Sequence, residues 1–135
     1  MGRNKILLSL LFVASIFLIG GCKASVKVER DSLKVGEALI GHWVNTDGNL
    51  DYYFSASDFV KVEGDGTKTD MTYVIVKSNE TDNTINIRVT DSKGGEQDKE
   101  MQFSTDKKTM DETSFVLGVK SGEDKFSYVD NATKP

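Results

Sequence analysis

From Leu39 to Asp130 apolar side chains recur at every second position, and turn-forming residues interrupt them at short intervals. Period-two alternation marks strands with one buried face, and no stretch of this region sustains the 3.6-residue period of a helix. The expected strands are Leu39–Asn45, Leu50–Phe54, Phe59–Glu63, Met71–Lys77, Thr84–Thr90, Glu100–Ser104, Met110–Val119 and Lys125–Asp130. Between them lie Asp47-Gly48-Asn49, Ser55–Asp58, Gly64-Asp65-Gly66, Ser78–Asn83, Ser92–Gly95, Thr105–Lys108 and Ser121–Asp124, all rich in residues that form tight turns. Thr84–Thr90 alternates most clearly, with Ile85, Ile87 and Val89 on one face and Asn86, Arg88 and Thr90 on the other. The fold class expected is all-β, a small antiparallel meander barrel of about eight strands, since closure removes the exposed edges of a meander. An open β-sandwich is the alternative. Pro135 is the only proline, so every ladder donor is free.

The amino-terminal pattern is different. Arg3 and Lys5 precede an apolar run from Ile6 to Ile19, interrupted by Ser9 and Ser15 and closed by Gly20, Gly21 and Cys22. That run suits a signal peptide and is too short for a hydrocarbon core that takes roughly 20 apolar residues to cross. Ile19-Gly20-Gly21-Cys22 resembles the lipobox of bacterial lipoproteins. The resemblance implies cleavage between Gly21 and Cys22 and a diacylglycerol on the Cys22 sulfur. It also implies an extracytoplasmic location, lipid-anchored at the cell membrane. The expected organisation is a signal peptide at 1–21, the lipidated cysteine and a polar tether at 22–37, and one β domain at 38–135. Ser32 to Ala38 is expected to form one helical turn leading into the first strand.

Charge narrows the partners. The net charge is −4 for the whole chain, and loss of Arg3 and Lys5 with the signal peptide leaves about −6. Such a balance argues against nucleic acid and against a polybasic grip on anionic lipid. Cys22 is the only cysteine, so no disulfide forms within one chain and the core alone stabilises the domain.

Gly41-His42-Trp43 opens the first strand and resembles the Gly-x-Trp of lipocalins and the wider calycin group. Lipobox, tether and short meander together are similar to the small calycin-like lipoproteins of Gram-positive bacteria. The resemblance implies that Gly41 allows a close backbone approach, and that Trp43 plugs the barrel floor against a basic residue from the last strand. Lys120 or Lys125 would fill that basic role. The chain departs from lipocalins in its shorter length and in lacking a Thr-Asp-Tyr-type motif.

No residue pattern points to catalysis or to a cofactor. His42 is the only histidine, with no nucleophile elbow near it and too few companions for zinc. The carboxylates sit mainly in turns, where aspartate bonds nearby amides, and none follows the EF-hand spacing. Gly64-Asp65-Gly66 and Gly94-Gly95 precede no helix and are hairpin turns, not phosphate loops. Tyr52 and Tyr53 are adjacent and point to opposite faces, so either one lies outside, where it could meet a partner, or both faces of that strand are covered. The expected function is non-catalytic binding of a small apolar ligand or a surface protein. A ligand cavity would be lined from Trp43, Tyr52, Tyr73, Ile85, Ile87 and Phe103. The alternative is an inhibitor- or immunity-type interaction protein with a solid core.

Overall fold

Alternation this regular folds into strands that show one face to a common interior. A computed structural model describes residues 28–135; the expected signal peptide, its cleavage site and Cys22 lie outside the described residues. The strands are β1 (Gly41–Asn45), β2 (Leu50–Phe54), β3 (Asp58–Glu63), β4 (Lys68–Asn79), β5 (Thr84–Asp91), β6 (Glu96–Phe103), β7 (Thr109–Val116) and β8 (Val119–Asp130). Each pairs antiparallel with its sequence neighbours, and β8 pairs with β1 to close the barrel. The expected closed meander is thus the fold, and the open sandwich is not.

Several boundaries are corrected: β4 runs Lys68–Asn79 where Met71–Lys77 is expected, and β6 begins at Glu96 and not at Glu100. Leu39 belongs to a short helix, α1 (Val35–Leu39), and not to the first strand. The seventh strand stops at Val116, and Ser121–Asp124 lies inside β8 instead of forming the turn. The turn is Leu117-Gly118, both at positive φ (49° and 77°), between the paired Val116 and Val119. Two central residues at positive φ are what a two-residue type I′ hairpin needs. Ser121 is the extra residue of a bulge, since Ser114 faces Gly122 while Phe115 faces Lys120.

A meander has two distinguishable ends. One, the floor, carries α1 and the β2–β3, β4–β5 and β6–β7 turns; the other, the rim, carries the four remaining turns. From Arg30 onward the segment expected to be a tether lies against the floor. A 3₁₀ turn at Arg30–Ser32 leads into α1, whose Val35, Ala38 and Leu39 are fully buried. The Glu80 carboxylate accepts the Val35 N–H at 3.1 Å, while Lys107 Nζ donates to the Asp31 carbonyl at 2.9 Å. These bonds join α1 and the 3₁₀ turn to the β4–β5 and β6–β7 turns. Val35, Ala38 and Leu39 join one core with Trp43, Phe54, Phe59, Ile85, Met101, Phe103, Met110 and Phe126.

Closure is incomplete at two places. β8 pairs with β1 only from Phe126 to Asp130, so Val119–Asp124 continues beyond the seam with β7 as its strand partner. The β3–β4 ladder ends at Asp58↔Thr72, so Val74 to Asn79 has β5 as its strand partner. Each leaves a free strand edge, one at the rim and one at the floor.

Candidate functional site

The six residues expected to line a ligand cavity come together as core. Trp43, Tyr52, Tyr73, Ile85, Ile87 and Phe103 are all buried. Their rings pack on other rings: Trp43 lies 5.8 Å from Phe103, Tyr52 4.3 Å from Phe126 and 4.7 Å from Phe59, and Tyr73 5.5 Å from Phe54. Edge-to-face and offset arrangements at these distances are those of a well-packed aromatic interior.

Trp43 does sit at the floor. It is fully buried, and its Nε1 donates to the Leu39 carbonyl at 2.9 Å, which ties the plug to α1. Gly41 has φ +130°, and a Cβ there would stand 2.7 Å from the Asp130 carbonyl and 2.8 Å from the Tyr128 ring. Only glycine permits that approach. The basic partner is corrected: it is Arg30, not Lys120 or Lys125. The Arg30 guanidinium lies 3.5 Å from the Tyr128 ring centroid and 5.3 Å from that of Trp43. It also donates to the Ala38 carbonyl at 2.6 Å and the Lys107 carbonyl at 2.9 Å. Lys125 instead lies 3.5 Å from Asp111, and Lys120 pairs with Glu123, all on exposed parts of β7 and β8. A cation from the amino-terminal segment thus takes the place that the family resemblance gave to the last strand.

Towards the rim the interior becomes polar. Lys99 on β6 and Glu112 on β7 form a buried ion pair at 2.7 Å. Ser114 donates to the same Glu112 Oε1 at 2.9 Å, and Lys99 also donates to Ser114 Oγ at 2.9 Å. Tyr52 adds its hydroxyl at 3.3 Å. Burial, then the Glu112 charge, pushes the Tyr52 phenol far above its ordinary range, so it remains a neutral donor. Glu112 Oε2 has no hydrogen-bond partner. Nearby, Asn45 bonds Asp124, Asn49 and the β1–β2 turn backbone. No single short motif carries this network, because its members come from β1, β2, β6, β7 and β8.

His42 points outward from β1. Its Nε2 is 2.7 Å from Asp51 Oδ2 on β2, its Nδ1 is 3.7 Å from Asp130 Oδ1 on β8, and its ring stacks on Tyr53 at 4.2 Å. These interactions fasten β1 to both neighbouring strands across the closure seam. Tyr53, the outward tyrosine of the adjacent pair, is therefore engaged by the imidazole. The turn acids behave as their positions suggest. Asp65 accepts from Thr67 N–H, Asp91 from Lys93 and Gly95 N–H, and Asp106 from Lys108 N–H. No group of three His, Cys, Asp or Glu side chains that could hold a metal ion occurs among the described residues.

One feature that packing does not explain is the β7–β8 hairpin at the rim. Leu117 is 98% exposed at its tip, Val119 is 70% exposed and Val116 is 45% exposed. Leucine in the left-handed region costs roughly 1–2 kcal/mol where asparagine or glycine would sit with little strain. Beside the tip, Phe115 and Leu117 line a shallow groove with Arg88, Glu96 and Asp98. Arg88 and Asp98 are paired across it at 2.8 Å. An apolar knob with a charged margin has the anatomy of a protein-contact surface. The turn-like composition of Ser121–Asp124 obscures this hairpin in the sequence. Its one signal there is a Leu-Gly pair between two valines, which reads as strand because leucine seldom occupies a turn.

The fold defines a class, a small closed eight-stranded antiparallel barrel consistent with a calycin-like fold. No family model, no curated protein and no solved structure matches the chain.

Proposed function

We propose that this chain is a lipid-anchored extracytoplasmic lipoprotein whose barrel holds an apolar hairpin out towards a partner protein at the cell surface. The anchor is the lipid on Cys22, and the partner is met by Leu117, Val116 and Val119 with the groove at Phe115. The observation that carries the reading is Leu117, nearly fully exposed in a backbone conformation that leucine disfavours. Strain retained at a surface position points to use of that position. The hairpin emerges at the rim, while the first described turn, Arg30–Ser32, lies at the floor, at the opposite end of the barrel. The protein is a non-catalytic binding module. Aromatic rings occupy the space expected for an apolar ligand, which favours the solid-core interaction reading over the ligand reading.

The test is a photo-crosslinking residue at Val119, with a control at Thr113 in the middle of β7, in cells that carry the lipidated protein. A discrete adduct at 119, absent at 113 and abolished when Leu117→Asn is added, is expected. Equal labelling at both positions, or none at 119, would overturn the reading. Apolar probes should leave Trp43 fluorescence unchanged; a saturable change would restore the ligand cavity.

A further inference from the structure

The exposed large apolar side chains gather at the two ends of the barrel. Val116, Leu117 and Val119 form the rim hairpin. Val74 (62% exposed), Ile75 (48%) and Val76 (57%) form a second group on the floor half of β4. This group lies on the free edge described above, past the last β3 pairing, where the Tyr73 N–H meets the Ser57 carbonyl. A bulge between Ile75 and Lys77 leaves Val76 without a direct partner on β5. A Cβ on Gly36 would touch Ile75 Cδ1 at 3.4 Å, so the group adjoins α1 and the segment that leads back to Cys22. Edge strands in water usually carry charge or proline that blocks further pairing; Val74-Ile75-Val76 carries neither, and the first charge on this edge is Lys77.

Chain length says what covers it. Six residue steps separate Cys22 from Val28, the first described residue, and fully extended they reach about 20 Å. A lipid on Cys22 therefore keeps the floor close to the bilayer surface. We infer that in the anchored protein Val74, Ile75 and Val76 rest in the interfacial layer of the phospholipid leaflet, which sets the barrel upright with the rim hairpin facing away. This inference rests on the proposed lipidation of Cys22. Headgroups and interfacial water satisfy the free N–H and C=O groups of the edge, as a dry hydrocarbon core would not. The floor carries Asp31, Glu37, Glu80, Asp82 and Asp106 beside Arg30, Lys34, Lys77, Lys107 and Lys108, so charges of both signs balance there and attraction to anionic lipid does not drive the association. The association is weak by itself. Tethering makes it intramolecular, at the millimolar effective concentrations typical of short linkers, and a few apolar side chains then suffice.

The test uses lipidated protein in phosphatidylcholine vesicles containing doxyl-labelled lipid, with an environment-sensitive fluorophore on Val76→Cys or, separately, on Leu117→Cys. Mass spectrometry first establishes the diacylglycerol on Cys22, and vesicle flotation with a Cys22→Ser control establishes that it anchors the chain. Expected are several-fold stronger quenching at 76 than at 117, and disappearance of that difference in Val74→Ser/Ile75→Ser carrying the same label. Equal quenching at both positions in protein that floats through its lipid overturns the inference and leaves the anchor intact. A chain with no lipid on Cys22 overturns both.

Discussion

The floor and the rim are built from opposite materials. At the floor, α1 lies over Trp43, Arg30 covers the Trp43 and Tyr128 rings, and the neighbouring interior is almost wholly apolar. Towards the rim the interior holds a lysine, a glutamate, a serine and an asparagine, and the outermost hairpin puts its apolar residues outside. The floor is stabilised mainly by apolar burial, and hydrogen bonds of Arg30, Trp43, Glu80 and Lys107 to backbone groups fasten the segment that covers it. The rim depends on hydrogen bonds of defined geometry, and one buried carboxylate oxygen there has no partner. The buried apolar packing and the exposed apolar hairpin are thus separated along the barrel axis.

The largest effect expected from breaking this division is at the ion pair. Lys99→Met leaves the Glu112 carboxylate buried without its cation and should cost about 3–5 kcal/mol in chemical denaturation. Lys99→Met with Glu112→Leu should recover most of that stability, because the interior then becomes apolar like the floor. A double variant no more stable than the single one would mean that the rim does not tolerate the floor's material.

At the floor, Gly41→Ala forces a Cβ against the Asp130 carbonyl and a side-chain residue into glycine backbone. The expected destabilisation is about 1–3 kcal/mol, read from the same denaturation curves. The smallest effect has the opposite sign. Leu117→Asn suits the left-handed turn and should stabilise the domain by about 1 kcal/mol while abolishing the crosslink at Val119. A more stable domain that no longer captures its partner is the trade expected of a residue retained for recognition.

Much of this could be read one residue at a time. The core faces of β5 and β6 follow from Ile85, Ile87, Val89, Met101 and Phe103, since alternation is a local property and each strand declares its own inner face. Lys99 lies outside the expected strand, which begins at Glu100, and only the longer β6 (Glu96–Phe103) puts it on that inner face. Its partner, Glu112, lies thirteen residues away on the next strand. The same limit hid the hairpin. Ser121–Asp124 has the composition of a turn, and only the pairing of Ser114 with Gly122 and Phe115 with Lys120 places it within a bulged strand.

Period-two patterning and turn spacing determined by themselves that the domain is all-β, that it has about eight strands, and that most of its aromatic side chains lie inside. They suffice because each concerns neighbours along the chain. Closure of β8 on β1, the choice of Arg30 as the cation over Trp43, the Lys99–Glu112 pair and the exposure of Leu117 were decided only in the tertiary structure. Each depends on the register between segments far apart in sequence, and a shift of one residue would turn every side chain concerned to the opposite face.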